Sequence, residues 1–400
     1  ICTFAILHAG GVKELNFRQI TWSYGLKYIG LGLAIGVALS IGKILCKYKM
    51  HQFDIFIADK ARCNNFELLR VIAMGMIILF HYAYGNGELD YSSMGNYKII
   101  IDVIWMFGEL GVNLFALISG YFMIGQEKPF NYRKICLMWM QVLFYSILET
   151  IIASKAGVLE VNQKIVLQTV FPVTYVVWWY VTAYFILYFL SPFLNKGLKG
   201  LEKQEYRRLI GGLLLIFSIW PTIMGVFDNN TEVFFFYSRF IWLVIVYCIA
   251  GYIRIYGICR EKWFLNHWVY LHVGVWMVTV LFIIIMPENG FNDNLKIKNT
   301  YFWGPNSIIM VLLSVSLFMI FDFIKLKENR LLSYIASCTF GIYLGHCGYS
   351  GMIRNAIFYK NLVGAKAVFL DMTCAFICTV IITLMIESLR KQVEKIMLKL

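Results

Sequence analysis

The chain has little charge and little proline. Only 15% of its 400 residues are Asp, Glu, Lys or Arg, and only six are proline. So little charge cannot clothe a soluble domain of this size. The prolines fall mainly at the ends of apolar runs, which argues against a transporter whose helices break in paired positions at mid-membrane. No large hydrophilic segment that would suit a polysaccharide polymerase or flippase is present either. The longest stretch assigned to the outside, 155–175, is mostly apolar. The ten cysteines show no CxxC and no metal-like spacing. Most, such as Cys136, Cys248, Cys338, Cys374 and Cys378, lie in apolar runs and read as small buried hydrophobes. No internal repeat stands out, and residues 1–21 lack the basic start and apolar run of a cleavable export signal.

What the chain has is hydrophobic length. Sixty per cent apolar residues and 17% aromatics, at a mean hydropathy of +0.68, describe an all-α polytopic membrane protein. Stretches long enough to span occur near 22–45, 66–84, 100–124, 135–154, 176–195, 208–226, 234–256, 265–286, 303–324, 331–350 and 366–388. The net charge of +13 sits in short clusters between these runs, so it reads as topology rather than as a nucleic-acid surface. If 66–84 enters from the cytoplasm, the cytoplasmic segments hold roughly twice the Lys and Arg of the outer ones, and the C-terminus is cytoplasmic. The first span is Gly-rich, with Gly32 and Gly36 forming a GxxxG. The expected organisation is an appended segment, 1–60, with one transmembrane helix, followed by a ten-span helical bundle over 61–400.

Two residues in the second span do not belong in hydrocarbon. Arg70 and His81 are eleven residues apart, about three helical turns and 16 Å, which puts both on one face. Ionisable groups in spans are costly and mark function. A neutral imidazole near the outer end of its helix can take a proton from a hydroxyl and return it, which suits acyl transfer to alcohols; equally, a neighbouring helix can satisfy it. Arg70 at the opposite mouth matches phosphate oxygens, or it snorkels to headgroups. Glu109, Asp102 and Glu149 are candidates to orient His81 through its second ring nitrogen, whereas Asn113 and Ser119 read as interhelical glue. Trp178 and Tyr180 lie near the outer half of their span, where aromatic faces cover sugar rings or form an interfacial belt. His346, near the outer end of another span, ranks second to His81.

ARCNNFELLRVIAMGMIILFHY, with ten residues between Arg70 and His81, resembles the signature of the acyltransferase 3 family of bacterial membrane O-acyltransferases. GVNLFALISGYF (111–122), WYVTAYFILYFLSPFLN (179–195) and ASCTFGIYLGH (336–346) continue the likeness in order over 61 to about 390. The family typically has ten spans with both termini inside, which the span at 22–45 exceeds. The resemblance implies a multi-pass enzyme of the bacterial cytoplasmic membrane. It would transfer acetyl from acetyl-CoA, a co-substrate, to a hydroxyl of a cell-envelope polysaccharide or lipid-linked glycan. It implies no tightly bound cofactor, no metal and no nucleic-acid partner. The family's essential arginine and histidine carry over onto Arg70 and His81. Its donor-binding arginine pair, in the loop after the second domain helix, is replaced here by Arg133 and Lys134, charges that the positive-inside rule also explains. On this reading the CoA phosphates rest near Arg70 and Arg133, the thioester approaches His81, and the acceptor enters from outside. His81 then acts as general base or as a transient acyl carrier.

Overall fold

The structure, a computed structural model, describes residues 63–84, 97–125, 131–225, 239–257, 262–286, 299–347 and 365–397. The span expected at 22–45 and the boundary at 60 lie outside these residues. Among the described residues there are eleven helices and no strand. They are α1 Asn64–Tyr84, α2 Lys98–Ile124, α3 Tyr132–Lys155, α4 Gln163–Val170, α5 Trp179–Lys199, α6 Lys203–Met224, α7 Arg239–Tyr256, α8 Lys262–Ile285, α9 Ile308–Phe323, α10 Arg330–Gly345 and α11 Ala365–Met397. All but α4 coincide with apolar stretches expected from 66 onward. Seven of the described helices are long and apolar enough to cross a membrane, whereas α9 and α10 have 16 residues each. The segment 155–175, read from its sequence as a loop, contains α4, which the Asn162 side chain caps by accepting from the Ile165 amide at 3.0 Å.

Helix α2 is the centre of the bundle, packed between α1, α7 and α9, while α10 closes over α1 and α11 over α10. The apolar windows of α2, α7 and α1 are 61, 56 and 50% buried, against 11% for α6 and for α8. Helix α8 is apolar on every side, and that suits a lipid-facing surface. The cysteines divide in the same way: Cys248 and Cys338 are buried, but Cys136 and Cys374 face outward, so the expectation that they are core residues fails for those two. An apolar run looks the same from the sequence whether lipid or protein covers it.

Small residues permit the central contact, because a Cβ on Gly111 would stand 2.7 Å from the Ala73 carbonyl oxygen of α1. Gly111→Val is therefore expected to push α1 from α2 and cost about 1–3 kcal/mol, read as a lower melting temperature in detergent. Gly197→Val is the control, since a Cβ there meets nothing within 4 Å. Equal melting of the two variants would refute the argument. The two helix-interior prolines are compensated. Pro192 frees the Tyr188 carbonyl, to which Ser191 Oγ donates at 2.8 Å, and Pro221 frees the Phe217 carbonyl, to which Asn306 Nδ2 donates at 2.8 Å. A π-helical turn at Leu215–Ile219 absorbs the remaining distortion before Pro221.

Contacts between helix ends place the start of α1 with the ends of α2, α7 and α9. Asn64 Nδ2 donates to Lys327 O at 2.7 Å, Asn65 Nδ2 to Phe321 O at 2.8 Å, and Arg254 Nη1 to Tyr121 Oη at 3.2 Å. On the other face Asn299 Nδ2 donates to Asp102 at 2.9 Å, and the Trp105 and Trp303 rings lie 4.5 Å apart. Helices α2, α7 and α9 thus run opposite to α1. Arg70 lies toward the first face and His81 toward the second.

Candidate functional site

At the far end of α1, His81 meets His346, the residue that ends α10. The imidazole centroids are 4.8 Å apart at 77°, with His346 Nε2 3.3 Å from His81 Nδ1. Two carbonyls set the tautomers, because a carbonyl only accepts. His346 Nδ1–H donates to Tyr343 O at 2.6 Å, so the neutral ring carries its lone pair on Nε2. His81 Nδ1–H donates to Ile77 O, four residues back, at 2.8 Å and points at that lone pair. The basic nitrogen of His81 is consequently Nε2. His346 is 1% exposed, whereas His81 is half-buried.

Asp102 accepts from Asn299, and Glu109 faces the charge of Arg239 at the start of α7. Glu149 is buried on α3. His81 and His346 are brought together by tertiary packing across 265 positions of sequence. No local pattern carries such a pairing. Asn113 serves as glue, donating to Pro305 O at 2.8 Å and accepting from Trp242 Nε1 at 2.8 Å.

A file of aromatic side chains runs from the histidines toward Arg70. Tyr343 lies 5.3 Å from the His346 ring and 5.8 Å from that of Tyr180, and Tyr180 stacks on Tyr184 at 6.3 Å. Arg70 is half-buried and acts electrostatically on Tyr180, Tyr184 and Lys134. Trp178 is 1% exposed and wedged with Tyr145, Leu344 and Cys347, so its ring is a wall of the core rather than an open platform. Its indole Nε1–H finds no acceptor among the described residues.

At the opposite face, a cavity of about 300 Å³ opens beside the first turn of α3, lined by Arg133, Lys134, Gln141, Arg390 and Glu394 among others. Asn131 caps that helix by accepting from the Lys134 amide at 3.1 Å. Cations in a first turn oppose the helix dipole. Arg133 and Lys134 therefore cost stability where they stand, and they make an anion-attracting mouth of the cavity they line. Lys134 Nζ lies 4.9 Å over the Tyr188 ring.

Glu387 and Arg390 were not singled out from the sequence. Glu387 is fully buried and takes both Nε and Nη2 of Arg390 at 3.0 Å, together with Tyr145 Oη at 3.0 Å and Gln141 Nε2 at 2.9 Å. An acid at the end of an apolar run with arginine three residues on was the available signal.

Comparison with known proteins identifies one family. A family model described as an acyltransferase domain matches residues 64–388. No curated protein and no solved structure matches the chain.

Proposed function

Since the chain belongs to the acyltransferase 3 family and is a multi-pass membrane acyltransferase, we propose that it moves acetyl from acetyl-CoA to a hydroxyl of a cell-envelope polysaccharide or lipid-linked glycan. The observation that carries this reading is the His81–His346 pair, in which His81 Nδ1–H faces the Ile77 carbonyl and His346 Nε2, so that the neutral His81 ring has its basic lone pair on Nε2. The acceptor hydroxyl gives its proton to Nε2 as its oxygen attacks the thioester carbonyl. The proton then passes to the departing thiolate, releasing CoA and an ester. His346 Nε2 and the Ile77 carbonyl stabilise the imidazolium that forms between those steps, because both accept from its Nδ1–H.

The cationic mouth supports a donor whose phosphates sit at Arg70, Arg133 and Lys134, with the acyl arm following the tyrosine file inward. On this proposal the mouth faces the cytoplasm of a bacterium and the histidines face the acceptor side. Tyr180 is a candidate acceptor contact. Purified protein given labelled acetyl-CoA and extracted envelope glycan is expected to form base-labile acetyl esters. Export of glycan without esterification would overturn the proposal. Replacing Arg133 and Lys134 together with alanine is expected to raise the donor KM about tenfold with kcat held, since the lost contacts bind ground and transition states alike. An unchanged donor KM would remove the mouth from the reaction.

A further inference from the structure

The residue after His346 has no part in the acyl transfer described above. Cys347 is 7% exposed, and one donor atom each from His81, His346 and Cys347 lie within 4.8 Å of one another. A tetrahedral zinc ion holds two imidazole nitrogens at 2.0–2.1 Å, which places those nitrogens about 3.3 Å apart. The separation of His346 Nε2 and His81 Nδ1 is 3.3 Å. Metal-bound histidines usually donate their other N–H to a carbonyl or carboxylate, which fixes the ring. His346 makes that bond to Tyr343 O. The nitrogen spacing and the anchored second nitrogen thus fit the two imidazoles to one cation, and the Cys347 thiol lies within 4.8 Å of both as the third donor.

We infer that His81, His346 and Cys347 bind a borderline-soft divalent cation of the zinc class, and that its binding shuts off the acyl transfer proposed for His81. The ligand set selects such an ion, because thiolate and imidazole disfavour magnesium and calcium. Binding releases the Cys347 proton and displaces the one on His81 Nδ1, breaking the bond to Ile77 O. The neutral His81 ring then carries its proton on Nε2 and has no lone pair there to accept one from a hydroxyl. A cation at this place therefore inhibits without touching the donor mouth. The inhibitory half rests on the proposed role of His81; the binding half does not.

The test uses tag-free full-length protein in lipid nanodiscs, with Co²⁺ as spectroscopic probe and Zn²⁺ as competitor. One equivalent of Co²⁺ is expected to give a thiolate-to-cobalt absorption band that Zn²⁺ abolishes. Cys347→Ser is expected to lose the band and to raise the Zn²⁺ concentration for half-inhibition by roughly tenfold or more. Its metal-free turnover stays at the wild-type level, and Cys347→Ala provides the same reading if the serine variant is poorly folded. A band that persists in both cysteine variants, or that never forms, overturns the site. Cys347-dependent binding that leaves transfer running at full rate overturns the inhibition. If the wild-type protein binds Co²⁺ through Cys347 yet acetylates nothing, the site stands and the acyl-transfer proposal falls.

Discussion

His81→Ala is expected to lower kcat for acyl transfer by about 10²- to 10⁴-fold, the usual contribution of a positioned general base, with the donor KM little changed. The ring is half-buried at the end of α1, so its removal leaves no large cavity and the protein should melt near the wild-type temperature. His346→Ala gives a smaller loss. It removes one of two acceptors for the imidazolium Nδ1–H and leaves the Ile77 carbonyl in place. A hydrogen bond to a charged partner contributes about 1.5–3 kcal/mol, or roughly ten- to a hundredfold in rate. His346→Gln, whose amide oxygen can accept the same proton, is expected to recover part of that loss. Single-turnover acetylation separates these effects from binding. If His81→Ala transferred at the wild-type rate, the base would have to be sought elsewhere.

The helices were legible because lipid imposes length and apolarity on each span, and α1 and α2 follow their apolar runs closely. Arg70 and His81 were legible for the opposite reason, as charges where charge is costly. Less legible was anything decided by facing. Trp178 and Tyr180 look alike as aromatic residues near one end of α5, yet Trp178 is sealed against Tyr145 and Cys347, and Tyr180 turns to Tyr343. The contact of His81 with His346 is of the same kind, because α10 delivers His346 from far along the chain. Cys136 and Cys248 both lie in apolar runs, and only packing tells that one faces out and the other in. Helical periodicity places residues on a face of their own helix. It does not say which neighbour that face meets.

The same limit hid the network with the largest expected effect on stability. Glu387→Ala is expected to destabilise the protein by about 3–5 kcal/mol, the usual consequence of breaking a buried ion pair from one side. The carboxylate has no exposed surface, and its oxygens accept four hydrogen bonds, from Arg390 twice, Tyr145 and Gln141. Its loss leaves Tyr145 and Gln141 without this acceptor and Arg390 with Glu394, bonded at 2.6 Å, on one side only. Packing adds to the effect: a Cβ on Gly341 would stand 2.4 Å from the Glu387 carboxyl, so α10 and α11 approach closely over this group and cannot readily close a void there. Glu387→Gln keeps the volume but turns an amide N–H₂ toward donors, and it should fall between wild type and alanine. Replacing Glu387 and Arg390 together with methionine removes both charges and is expected to recover much of the loss. Melting temperatures in detergent rank the four proteins. A double variant no more stable than Glu387→Ala would show that the carboxylate matters through Tyr145 and Gln141, and the ion pair would then contribute little to holding α11 against α3 and α10.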